Sequence, residues 1–247
     1  QYFTRAMEVR EHILEPGDPE ISQRLNDLVV LYRVYGHFEK AEPLFLRLLG
    51  IKSDKEEGLS EAEAADLCSL GLFYQGQSKY KKAETFFTQA LTRVGEQFGE
   101  EPHAEKAWVH GLLGRFYDEQ YLFKKAEEHL LVSLKMTEAV LGEEHPDLIV
   151  YLDALTRHYR LQQQYTEAMP WAERALAVAE KFYGTQHPYL ATALNSFGEL
   201  LYHSGQPEVA GPVYLAAYEI QQTSQAAVIR TRKVPQAEQG RLSVVRA

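Results

Sequence analysis

Residues able to do chemistry are few in this chain, and they are far apart. There are nine histidines and a single cysteine in 247 residues. His145 and His187 each precede a proline and stand 42 residues apart. Two such histidines would begin a zinc site, but zinc asks for further ligands at close spacing, and neither neighbourhood supplies them. They read instead as histidines at helix starts. Cys68 stands alone, so no internal disulfide can form, which fits a reducing compartment. It lies in the apolar run AADLCSLGLFY and reads as a small buried or groove-lining residue. The acid pairs Glu100-Glu101 and Glu143-Glu144 fall at turns, where water solvates them. There is no Gly-rich phosphate loop, HExxH, GxSxG or CxxC. The chain is therefore expected to be no enzyme, with no cofactor and no metal. The arginines are more informative, but only once the elements that carry them are known.

Those elements repeat. Ala recurs at 41, 83, 126, 168 and 210. An aromatic recurs at Tyr32, Tyr74, Tyr117 and Tyr159, with Leu201 in the fifth place. A large apolar residue recurs at Leu28, Leu70, Leu113, Leu155 and Phe197. A small one follows it at Gly71, Gly114, Thr156 and Gly198, with Val29 as the exception. Agreement of several columns at one period marks a repeat architecture. The clearest unit, residues 146–184, predicts two antiparallel helices, from about Pro146 to Leu161 and from about Tyr165 to Phe182. Two packed helices approach to about 8–10 Å, so the small column marks the crossing. Apolar residues at i, i+3, i+4 and i+7 fill the space around it. The Tyr column is expected between helices with its hydroxyl at an edge, where a partner or water is available.

The pattern Leu67, Leu70-Gly71, Tyr74, Ala83, Phe87, Ala90 resembles the tetratricopeptide repeat. That family's ordinary period is about 34 residues. The longer period here, with GEEHPDL at 142–148, GTQHPYL at 184–190 and YGHFEKAEPLF at 35–45, resembles the repeats of kinesin light chains and their prokaryotic relatives. The resemblance spans roughly residues 1–223. It implies an all-α fold, a right-handed superhelical solenoid of antiparallel helix hairpins. It also implies a concave groove lined by the first helix of each pair.

Taken in order, residues 1–14 match the second helix of a truncated leading repeat, with Phe3, Ala6 and Met7 in register with Phe87, Ala90 and Leu91. At least one more repeat is expected before it. Residues 15–223 are read as five hairpins. Helix starts are marked by Asp18-Pro19, by the capping-box spacing of Ser60 to Glu63, and by Pro146 and Pro188. Residues 50–59 read as a polar, mobile loop, and Gly99, Gly142 and Gly184 suit helix C-terminal turns. Residues 224–247 form a basic segment. Residues 225–247 hold five bases and one acid, so the other 224 carry −9 − 4 = −13. That tail reads either as a helical cap followed by loosely tied residues, or as a basic arm that docks on an acidic surface. No apolar run reaches 18 residues, so no membrane insertion is expected. The acidic balance speaks against nucleic acid. A cytoplasmic setting is expected.

The register places certain side chains in the groove. These are Asn26, Val30 and Arg33; Cys68, Leu72 and Gln75; Gly111, Arg115 and Asp118; Asp153, Arg157 and Arg160; and Asn195, Glu199 and Tyr202, with Trp108 and Val150 on the same wall. The resemblance implies that Asn26 and Asn195 hold the backbone of an extended peptide; Cys68, Gly111 and Asp153 interrupt that ladder. Arg115, Arg157 and Arg160 form a basic cluster in an acidic body, and an Arg fork binds carboxylates. Either they pair with Asp118 and Asp153, or they stand ready for an anion. The expected binding residues are thus Asn26, Arg33, Leu72, Gln75, Trp108, Arg115, Asp153, Arg157, Arg160, Asn195 and Tyr202. Two functions follow. One is an adaptor that binds a protein or an extended acidic or mixed peptide. The other is a sensor or oligomerisation domain of a larger protein, in which self-association is possible.

Overall fold

The computed structural model describes residues 19–48 and 64–232. The expected leading helix, the Asp18 cap, the loop at 50–59, the Ser60–Glu63 box and residues 233–247 lie outside them. Among the described residues there are ten helices and no strand. They pair as hairpins: α1 (Pro19–Val34) with α2 (Phe38–Leu48), α3 (Ala64–Gln75) with α4 (Tyr80–Phe98), and α5 (Ala104–Glu119) with α6 (Phe123–Leu141). The last two are α7 (Leu148–Leu161) with α8 (Tyr165–Tyr183) and α9 (Pro188–His203) with α10 (Pro207–Arg232). The chain divides into two compact units, residues 1–97 and 98–247.

The two helices of a hairpin differ in how much they bury. The second helix shows one apolar stripe; in α4 it is Ala83, Phe87, Ala90 and Val94. The first helix is covered over a wide arc; α3 buries Ala64, Leu67, Cys68, Leu70, Gly71, Phe73 and Tyr74. A helix flanked on several sides needs apolar residues all round, whereas an outer helix needs one stripe. Within unit 2 the buried side chains run on from hairpin to hairpin. Leu130 and Leu134 of α6 pack with Leu148, Leu152 and Leu155 of α7 and Ala175 of α8. Ala168 and Ala172 of α8 pack with Leu200 of α9.

The small column sits at the crossings. A methyl group on Gly71 would lie 2.6 Å from the Phe87 ring, one on Gly114 2.6 Å from Leu130, and one on Gly198 2.9 Å from Tyr214. In the fourth hairpin the sizes are exchanged. Thr156 takes the glycine's place, and Ala172 stands where Phe87, Leu130 and Tyr214 stand elsewhere. Both are buried. The contact conserves volume rather than residue type.

The Tyr column ties successive hairpins. The Tyr74 hydroxyl donates to Glu42 at 2.6 Å, from α3 to α2. The Tyr159 hydroxyl donates to Glu127 at 2.6 Å, from α7 to α6. Burial and the carboxylate together push the Tyr159 phenol up to about 12. Where the tyrosine is replaced by Leu201, the residue 32 positions earlier is Met169 rather than Glu.

Within each hairpin the turn passes through one residue with positive φ: Gly36, Ser78, Tyr121, Gln163 and Gly205. In every copy the Tyr-column carbonyl accepts the N–H five residues on, as in His37 to Tyr32 and Leu122 to Tyr117. Two expected boundaries shift. α7 begins at Leu148, because residues 145–148 form a turn in which Leu148 N–H donates to the His145 carbonyl. α10 runs on to Arg232, across the 223/224 boundary drawn from the loss of repeat columns.

Candidate peptide-binding face

In unit 2 the exposed side of α5, α7 and α9 is read in four rows, spaced 3, 4 and 3 residues apart, which keeps them on one side of each helix. The rows are Trp108, Val150 and Thr192; Gly111, Asp153 and Asn195; Arg115, Arg157 and Glu199; and Asp118, Arg160 and Tyr202. Trp108 is 38% exposed and Val150 63%. Arg115 is exposed and Arg157 partly so. Among the described residues neither has an ion-pair partner. Arg160 does: its Nη2 lies 3.2 Å from Glu199 Oε2 on α9. Asn195 is half-buried and Tyr202 exposed.

Two expectations for this face change. Asp118 does not point into a groove. It is 2% exposed, and its Oδ1 lies 2.6 Å from Nδ1 of His158, which is fully buried. His158 occupies the column of Phe73, Phe116 and Leu200, so it reaches the core side and draws Asp118 in after it. The Gln162 amide lies 2.8 Å from the other ring nitrogen, and Phe123 meets the ring edge-on. A His that donates Nδ1–H to Asp118 and accepts at Nε2 from Gln162 satisfies all three groups. Gly111 is also buried; a methyl there would meet Ser133 and Tyr151 at 3.1 and 3.2 Å. The arginines therefore do not pair with Asp118 or Asp153.

Asp153 sits half-buried between these rows. Its carboxyl takes a hydrogen bond from Ser196, yet burial dominates and pushes it up to about 6. Its Oδ1 is enclosed, with no hydrogen-bond partner among the described residues.

In unit 1 the corresponding residues of α1 and α3 are Asn26, Val30, Arg33, Leu72 and Gln75. The first four are exposed and Gln75 is half-buried. The Arg33 guanidinium lies 6.0 Å from the Phe73 ring centroid. Cys68 is fully buried, the first of its two readings.

Lys106 was not legible as a scaffold residue, and of the helix-start histidines only the place was legible, not the hydrogen bond each makes. Lys106 occupies the column of Leu148 and Leu190, and its ammonium donates to the carbonyls of Gly99 and Glu101 in the segment that leads into α5. His103, His145 and His187 each accept, through Nδ1, the N–H two residues on at 3.2 Å. His103 and His187 also stack on Phe98 and Tyr183. The recurrent His before a helix start was the signal for this cap. Among the described residues no group of three or more His, Cys, Asp or Glu is placed to hold a metal, and no helix is long and apolar enough to cross a membrane.

Comparison with known proteins agrees with this architecture. Human tetratricopeptide repeat protein 19, mitochondrial, is 26% identical over 203 residues, 74% of this chain and 52% of the relative. The kinesin light chain-related protein 1 of Arabidopsis thaliana is 23% identical over 210 residues, 84% of this chain and 34% of the relative. The chain thus spans about half or less of the length of these relatives. BtubC (BKLC) from P. vanneervenii has a similar fold, with a TM-score of 0.67, 20% identity and coverage of 91% and 90% of the two chains. TPR-like repeats assigned to a kinesin light chain of Podosopora anserina give 0.63, 20%, 85% and 99%. The tetratricopeptide repeat profile matches residues 61–139, 119–181 and 157–223, together more than half of the sequence. The repeat columns, the hairpins and this match make the chain a member of the tetratricopeptide repeat family.

Proposed function

We propose that this protein is a non-catalytic scaffold whose α5–α7–α9 face binds an extended peptide carrying acidic residues. The observation that carries the reading is the pair Arg115 and Arg157, two guanidinium groups without carboxylate partners among the described residues of an acidic chain. They lie two rows along α5 and α7 from the exposed Trp108 and Val150, past Gly111 and Asp153. A guanidinium fork takes a carboxylate bidentately. An aromatic or aliphatic side chain of the peptide would rest on Trp108 and Val150, and Asn195 offers both donor and acceptor to its main chain. Arg160 contributes less while Glu199 holds it. Unit 1 is proposed to bind through its own exposed residues, Asn26, Arg33, Leu72 and Gln75, taken by themselves. No nucleic-acid ligand is part of this reading.

The test is titration of an acidic peptide library by fluorescence anisotropy in low and high salt. Replacing Arg115 and Arg157 with Ala should weaken binding by about tenfold or more, on the order of 1.4 kcal/mol. Salt should weaken it as well. Arg157→Glu should shift the preference toward basic peptides. Binding that survives the double replacement would show that the ligand is not anionic or sits elsewhere.

A second reading is favoured by the length of the relatives: the hairpins serve as a sensor or self-association module of a larger protein. Sedimentation equilibrium of the chain across a concentration series separates the two, because a pure adaptor stays monomeric without its peptide. The cytoplasmic setting belongs to the proposal also. The human relative is named as mitochondrial, so localisation of the full-length native protein decides it.

A further inference from the structure

One contact inside a hairpin departs from its sisters at both ends. The first helix places Leu25, Leu67, Leu152 and Leu194 at one position, and the second helix places Leu44, Phe86, Trp171 and Val213 opposite. Leu25 packs with Leu44, and Leu152 with Trp171. In the third hairpin these two positions are His110 and His129. Their Nδ1 atoms meet at 2.8 Å, with ring centroids 5.0 Å apart. Tyr117 stacks on His129 at 5.5 Å. Both rings are half-buried. Burial holds His110 down at about 4, helped by His129 and Lys106, and also lowers His129 with help from Lys125 against the pull of Glu128. A single neutral hydrogen bond is a poor substitute for the apolar contact the other hairpins keep.

We propose that His110 and His129 form a two-coordinate site for monovalent copper. Imidazole suits copper and zinc alike, but zinc is held by about three or four protein ligands. No third His, Cys, Asp or Glu is placed with this pair among the described residues. Monovalent copper accepts two nitrogen donors in line. With metal–nitrogen bonds of roughly 2 Å, the nitrogens part from 2.8 Å to about 4 Å, a rotation of two half-buried rings. The ring that donated its Nδ1 proton carries a proton on Nε2 instead. No electron moves, because the ion enters as Cu⁺.

The experiment is titration of the full chain with Cu⁺ under anaerobic, reducing conditions against a chromophoric chelator. The control is the double variant His110→Leu/His129→Phe, which places at these positions the residue types of Leu67 and Phe86 in the second hairpin, with circular dichroism as the check that it folds. The expected result is one equivalent bound by the parent chain, a higher melting temperature with copper, and at least a tenfold loss of affinity in the double variant. X-ray absorption should show two nitrogen neighbours. Absence of stoichiometric binding, equal binding by the double variant, equal affinity for Zn²⁺, or three or more ligands at the metal would each overturn the assignment.

Discussion

Gly71 and Gly95 are both helical glycines, yet one added methyl should move stability in opposite directions. Within a helix, Gly to Ala gains about 1 kcal/mol. At Gly95 nothing lies within 4 Å of the new carbon, so Gly95→Ala should realise that gain. At Gly71 the methyl lies 2.6 Å from the fully buried Phe87 ring, and overpacking costs about 1–3 kcal/mol or more. Gly71→Ala should lower stability, and Gly71→Leu should cost about 3 kcal/mol or more, at the upper end of that range. Urea midpoints of the three variants check the signs. Asp153 makes the other residue-scale prediction. Its carboxyl keeps its proton up to about pH 6 in the folded chain, against an ordinary value of 3.8. Between those values the folded chain holds a proton the unfolded chain has lost. Its contribution is most favourable at the acid end and declines as pH rises through 6. Asp153→Asn keeps the shape and removes the charge. It should add about 1–2 kcal/mol at pH 7.5, allowing for partial exposure, and remove this part of the pH dependence. Chemical denaturation of parent and variant at pH 5 and 7.5 measures it.

The turns show what an element requires beyond its sequence. Five turns place a residue at the same register with positive φ, but only Gly36 and Gly205 are glycines. Tyr121 at +57° and Gln163 at +61° adopt a backbone that costs an L-residue about 1–2 kcal/mol. Glycine relieves this but enlarges the unfolded ensemble. Tyr121→Gly and Gln163→Gly should therefore raise stability by a net 0.5–1 kcal/mol or so, and Gly36→Ala should lower it; thermal melts check both. The same positions explain what was legible. The hairpins, the crossing glycines and the Tyr column could be read because each repeats a residue type at a fixed period. The positive-φ column could not, because geometry recurs there without a residue type. Lys106, His110 and His158 escaped for a related reason. Each sits in an otherwise apolar column, and only the fold shows that a carbonyl pair, a second imidazole or a carboxylate waits opposite. Asp118 was assigned to the groove by register alone, and its buried partner at His158 overrode the register.

At the scale of the whole chain, a repeat array has no single core, and stability is a sum over hairpins and their neighbours. Damage should therefore stay local. Gly198→Leu drives a side chain into Tyr214 between α9 and α10. Hydrogen exchange should then rise across residues 188–223 while α5 and α6 keep their protection; uniform loss would mean that unit 2 unfolds as one body. The Tyr–Glu ties bear on something else, the order in which hairpins can follow one another. In the two ties the plug is on the first helix of one hairpin and the socket on the second helix of the hairpin before it. Glu42 receives Tyr74, and Glu127 receives Tyr159. The fourth hairpin offers Met169 as a socket, and the fifth brings Leu201 as its plug. If the fifth hairpin were moved to follow the third, it would set Leu201 against the Glu127 carboxylate and leave that charge without its hydroxyl. A polar plug brought to Met169 would go equally unmatched. The pairs thus act as a joining code: a tyrosine-bearing hairpin can follow one that offers glutamate, whereas Leu201 suits only a neighbour that offers an apolar side chain such as Met169.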